Sequence, residues 1–112
     1  MKKKEIRVRC WIDIDGVKFF GPGRSELLQL IQEYGSIAKA AKAMGMSYKK
    51  AWAMVEEMNT RGTHPYVITH KGGQKGGGTE LTEAGKRIVT AYTKLADKLA
   101  SVVKDHEVLK LV

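Results

Sequence analysis

The residues best suited to chemistry are Ser47, Tyr48, Lys49 and Lys50, four consecutive positions carrying a hydroxyl, a phenol and two ammonium groups. That set suits hydrogen bonding and ion pairing with an anion rather than bond breaking. A second set, Lys71, Gln74 and Lys75, lies in or beside a glycine-rich stretch from 72 to 78. Glycines remove side-chain bulk, so a backbone built from them can approach phosphates closely or enter a minor groove, with Lys75 as the natural probe. A nucleotide-binding loop is the rival reading of such a stretch, but no Gly-Lys-Ser/Thr ending opens a helix here. His64, His70 and His106 have no Cys or acidic partner at ligand spacing, so no metal is expected. No nucleophile stands next to a base, so neither catalysis nor a cofactor is expected.

Residues 36 to 62 must position the first set. Ser36 follows Gly35 where an N-cap belongs, and Ala38, Ala40, Ala41 and Ala43 make a thin helix that another can approach closely. Gly45 permits a tight turn, Ser47 caps the next helix, and that helix runs from about Tyr48 to Arg61, ending at Gly62. Ala51, Trp52, Val55 and Met58 recur at helical spacing as one buried stripe, leaving Ser47, Lys49, Lys50 and Ala53 outward. Trp52 on that stripe reads as core rather than as a base-stacking group. Glu56 and Glu57 fall late in the helix and read as solvated or paired charges. A short helix, a glycine turn and a helix with a cationic start make a helix-turn-helix, although a plain αα-hairpin with lysines on its wet face has the same outline.

The flanks argue for the former. Residues 5 to 20 alternate, with Ile6, Val8, Cys10, Ile12 and Ile14 on one side, as in a half-buried strand. Asp15-Gly16 suits a two-residue type I′ turn that would set Ile14 against Val17, Asp13 against Lys18 and Ile12 against Phe19. Cys10 then reads as a small core residue. A helix over 24 to 34 should present Leu27, Leu28, Leu30, Ile31 and Tyr34 to the helix-turn-helix. Residues 66 to 82 read as two strands around the glycine-rich tip, a hairpin placed where a wing would be. From Thr82, a candidate N-cap, one helix runs over about 83 to 110. Ile88, Tyr92, Leu95, Leu99 and Val102 follow a four-three-four-three spacing, a heptad seam that calls for an identical partner helix.

The 112 residues suffice for one domain with its own core, and a formal charge of +8 with a pI near 9.7 suits a polyanionic partner. Cys10 is the single cysteine, which excludes an internal disulfide. No apolar run is long enough for a membrane span, and the basic start lacks the apolar stretch of a signal peptide, so a cytoplasmic protein is expected. The fold class expected is α+β, mainly α: a winged helix-turn-helix with an N-terminal β-hairpin and a long C-terminal dimerisation helix.

The run from Gly35 to Trp52, Glu-Met-Asn at 57 to 59, the glycine-rich stretch at 72 to 78 and Leu-Thr-Glu-Ala-Gly at 81 to 85 together resemble the N-terminal DNA-binding domain of the molybdate-responsive ModE regulators, and more distantly LysR-type winged helices. The likeness covers roughly residues 18 to 100. It implies a winged helix-turn-helix that dimerises through its terminal helix and binds operator DNA. Carried over by position, it implies recognition contacts by Ser47, Tyr48, Lys49 and Lys50 and wing contacts by Lys71, Gln74 and Lys75; Ser36 is counted with them as a candidate DNA contact. The chain stops at Val112, so the family's oxyanion-binding domains are expected to be absent and molybdate sensing is not inherited from the likeness. The expected partners are double-stranded DNA and a second copy of the chain, with no membrane. A sequence-specific transcriptional regulator is the favoured function, an architectural DNA-binding protein with little sequence preference is the alternative, and a winged helix reused for protein contact is a third. The target genes, the direction of regulation, any effector and the role of the N-terminal hairpin are not written in these residues.

Overall fold

A computed structural model describes residues 2–71 and 78–112. In chain order they form β1 (Ile12–Ile14), β2 (Val17–Phe20), α1 (Pro22–Tyr34), α2 (Ile37–Met44), α3 (Tyr48–Arg61), β3 (Val67–His70), β4 (Gly78–Leu81), α4 (Glu83–Val103) and a closing 3₁₀ turn over Glu107–Lys110. β1 pairs antiparallel with β2, and β3 with β4, in two separate hairpins. This is the expected α+β winged helix with an N-terminal hairpin and a long last helix.

Local chemistry caps the starts of α2, α3 and α4 at the residues the sequence marks. Ser36, Ser47 and Thr82 each accept a hydrogen bond from the backbone N–H three residues on, at 3.1, 3.1 and 3.0 Å. Each such cap stabilises its helix by about 1 kcal/mol. α1 begins two residues earlier than expected because Pro22 occupies its first turn, where a missing N–H costs nothing. Between α2 and α3, Gly45 sits at φ 70° and donates to Lys42 O at 3.1 Å, while Met46 N donates to Ala41 O at 3.0 Å. That paired closure requires a left-handed residue, which is why glycine stands there.

The core fills the space between α1, α2 and α3, with Leu27, Leu28 and Ile31 meeting Ala40, Ala41, Ala51, Val55 and Met58. Tyr34, expected on the apolar face of α1, is exposed instead. Phe19 and Phe20 are both buried, and strict strand alternation would have turned one of them outward. A bulge between Ile12 and Asp13 resolves this, pairing Ile12 with Phe20 rather than with Phe19, while Asp13–Lys18 and Ile14–Val17 pair as expected. Phe19 then lies against Tyr66 with ring centroids 6.1 Å apart, and Phe20 meets Tyr92 edge-on at 5.2 Å.

Four further expectations are corrected. The strand expected from residue 5 pairs only over Ile12–Ile14, and Val8 and Ile12 are exposed despite the alternation; Cys10 is half-buried against the core. Trp52 is not core. Tyr92 is not a free member of a seam, because it is only 7% exposed and its phenol donates to the Cys10 carbonyl at 2.7 Å. α4 stops at Val103, and a short 3₁₀ turn follows where continuous helix was expected.

Candidate nucleic-acid interface

The first turn of α3 faces away from the core. Ser47, Tyr48, Lys49 and Lys50 are all exposed, whereas Ala51, one residue on, is fully buried between the helices. The first turn of α3 holds no acidic residue. Lysines there oppose the positive end of the helix dipole, an arrangement that costs a few tenths of a kcal/mol each and that an incoming anion reverses. Free backbone N–H groups, two ammonium groups and two hydroxyls therefore converge on one anion-seeking helix end. Ser47 contributes its hydroxyl as the cap on Lys50 N. Ser36 is occupied in the same way at the start of α2, where it is half-buried and accepts from Lys39 N.

The wing is fastened to α3 by a side chain that periodicity does not single out. The Asn59 carbonyl accepts from Tyr66 N at 2.8 Å and Val67 N at 3.2 Å, while its amide donates to Val67 O at 3.0 Å. Asn59 thus completes the open edge at the start of β3 as another strand would. Its only sequence signal was its place in the Glu-Met-Asn motif. On the far side, Thr82 donates through its hydroxyl to Pro65 O and through its N–H to Tyr66 O, while Thr79 N donates to Gly35 O. Lys71 is exposed at the end of β3; Gln74 and Lys75 lie outside the described residues. His70 is paired across the wing with Glu80 at 2.8 Å.

Behind α3, Arg61 and Arg24 hold the N-terminal hairpin in place. Arg61 donates to the carbonyls of Ile14, Val17 and Lys18 and to the Glu57 carboxylate, and Arg24 donates to Phe19 O and pairs with Glu57 at 3.1 Å. Hydrogen bonds from Arg61 first and Arg24 second hold the Glu57 carboxyl below its ordinary pKa. Glu57 is accordingly a paired structural charge, away from the exposed first turn. Among the described residues, no group of three or more potential ligands gathers for a metal, and no helix is long and apolar enough to cross a membrane.

The structure therefore groups four of the expected contact residues on one exposed helix turn, braced by α1 and α2. The large exposed side chain of Trp52 on the same helix was missed. It falls one position past Ala51, and therefore about 100° around the helix from the stripe that α1 and α2 cover.

Sequence comparison agrees with this geometry. No family model matches the chain. It is 41% identical over 95 residues to the molybdenum transport protein ModE of Azotobacter vinelandii and 41% identical over 96 residues to the DNA-binding transcriptional dual regulator ModE of Escherichia coli K12. The molybdenum-pterin-binding protein MopB of Rhodobacter capsulatus is 39% identical over 87 residues. These matches take in 85, 83 and 78% of this chain but 35, 37 and 32% of those relatives, so the chain spans about a third of their length. By sequence and by fold, the chain is a ModE-like winged helix-turn-helix of the kind found in the N-terminal DNA-binding domain of these regulators.

Proposed function

We propose that this chain is a sequence-specific DNA-binding transcriptional regulator acting as a homodimer in a single winged helix-turn-helix domain. The exposed, cationic first turn of α3, on a helix that Ala51, Val55 and Met58 fix to the core, is the observation that carries the reading. Lys49 and Lys50 reach guanine acceptors or phosphates, and Ser47 and Tyr48 hydrogen-bond base edges or backbone. Ser36, Lys71, Gln74 and Lys75 add positioning contacts to phosphates. The far half of α4 supplies the dimer seam, and Leu95 and Val102, 43% and 74% exposed, support that role. Ile88 and Leu99 flank them on the same helix and are only partly covered. Two recognition helices related by a two-fold axis then meet successive major grooves about 34 Å apart on a partly palindromic site.

Selection of bound fragments from random DNA tests this directly. The expected result is one enriched, partly palindromic site bound at least a thousandfold more tightly than bulk genomic DNA. Equal competition by bulk DNA would instead establish the architectural alternative. Lys50→Ala should weaken binding to the selected site by roughly tenfold or more, while Lys75→Ala should weaken all sequences evenly and flatten the salt slope by about one unit. Sensing of molybdate or any other effector is no part of this reading.

A further inference from the structure

The outward surface of α3 carries an aromatic ridge that the lysines beside it do not explain. Tyr48 and Trp52 stand four residues apart, so they lie about 40° from each other around the helix, and they are 55% and 47% exposed. Ala51, Val55 and Met58 fill the space against α1 and α2, which leaves the indole outside the packed stripe. Lys49 and Ala53, both exposed, adjoin the ridge, and the small Ala53 leaves room beside the ring. A large apolar side chain held in water next to cationic groups marks a contact surface rather than an indifferent one.

We propose that Trp52, with Tyr48 beside it, reads sequence in the major groove by packing on the C5-methyl group of a thymine. The methyl is the apolar group that a base pair presents in that groove, and the faces of paired bases are closed to stacking. The indole N–H donates only, so it also suits a neighbouring N7, O6 or O4 acceptor. A second copy of the chain is the weaker candidate, because the dimer surface proposed above lies on α4. The inference rests on the regulator reading and adds to it the kind of base that the second turn of the helix selects.

The half-site enriched by the wild-type chain is remade with deoxyuridine in place of each thymine in turn, which deletes one methyl at a time. Wild-type affinity should fall about fourfold at one thymine per half-site, the effect of exposing one methyl-sized apolar group. Trp52→Ala should bind the methylated and demethylated sites equally, and Trp52→Phe should keep part of the preference and guard against a loss of folding in the alanine variant. Uracil costing Trp52→Ala as much as wild type, or costing wild type nothing at any position, overturns the thymine contact and leaves the regulator reading standing. If no site is enriched at all, both fall. A change in the molecular mass of the Trp52→Ala assembly, with DNA affinity intact, would make the ridge a protein interface and overturn the proposal.

Discussion

Asn59 shows how much can depend on one side chain that no periodic pattern marks. Its three hydrogen bonds to Tyr66 and Val67 hold the entrance of the wing against α3. Asn59→Ala leaves two backbone N–H groups and a carbonyl without their partner and should cost about 2–3 kcal/mol in chemical denaturation, whereas Asn59→Asp, which keeps the acceptor, should cost less. Tyr92 makes a comparable point about pH. Burial, and Cys10 after it, push the phenol up to about 12. An acid whose pKa is raised on folding adds stability that is fully present below its unfolded value of about 10 and is lost as pH rises through 12. Tyr92→Phe should therefore lose about 1 kcal/mol at neutral pH, and its melting temperature should fall less than that of wild type between pH 10 and 12. The exposed lysines and the serine caps were legible from residue type and spacing. Trp52 and Tyr92 were not, because helical spacing gives the angle between side chains but not how wide a stripe the neighbouring elements cover.

At the scale of elements, the close packing of α4 against the strand entrance depends on Gly85. A Cβ there would collide with the Tyr66 carbonyl oxygen, a backbone atom that cannot rotate away. Gly85→Ala should therefore lower stability by several times the few tenths of a kcal/mol that exposed helical substitutions usually change, as a melting curve would show. The Arg24–Glu57–Arg61 cluster fastens the N-terminal hairpin to α3 and gives that link an acid limit. Because the folded pKa of Glu57 is depressed, its contribution is present above about pH 4.5 and disappears as pH falls through the lowered folded value. Glu57→Gln should flatten the acid side of the stability profile. Apart from the C-terminal end of α4, helix and turn boundaries were readable to within about two residues because caps and glycines act locally. The bulge that moves Ile12 from Phe19 to Phe20 was not, because it serves two adjacent phenylalanines whose burial is decided by Tyr66 and Tyr92, distant in sequence.

The whole molecule measures 60 × 34 × 22 Å, a length that suits a helix continuing past its own core. Beyond Tyr92 the apolar residues of α4 are exposed or only partly covered, with Val102 the most exposed of them. Under the homodimer proposal, Leu95→Lys combined with Val102→Lys should shift the mass measured by light scattering from two chains to one. The same variant should keep the circular dichroism of a folded domain and bind one half-site without cooperativity. An unchanged mass would move the dimer surface elsewhere.

What the order of amino acids determined by itself was local: where helices start, where glycines end α1, α2 and α3, and that a cationic helix end and a glycine-rich hairpin follow one another. These depend on interactions within a few residues, which a linear reading contains in full. Tertiary structure decided which side of each element is covered. It placed Tyr92 inside and Trp52 outside, reserved Arg61 for the carbonyls of a hairpin more than forty residues away, and joined the wing to α3 through Asn59. Burial and register are properties of surfaces that meet only when the chain has folded, so they depend on distant partners that no window of sequence displays.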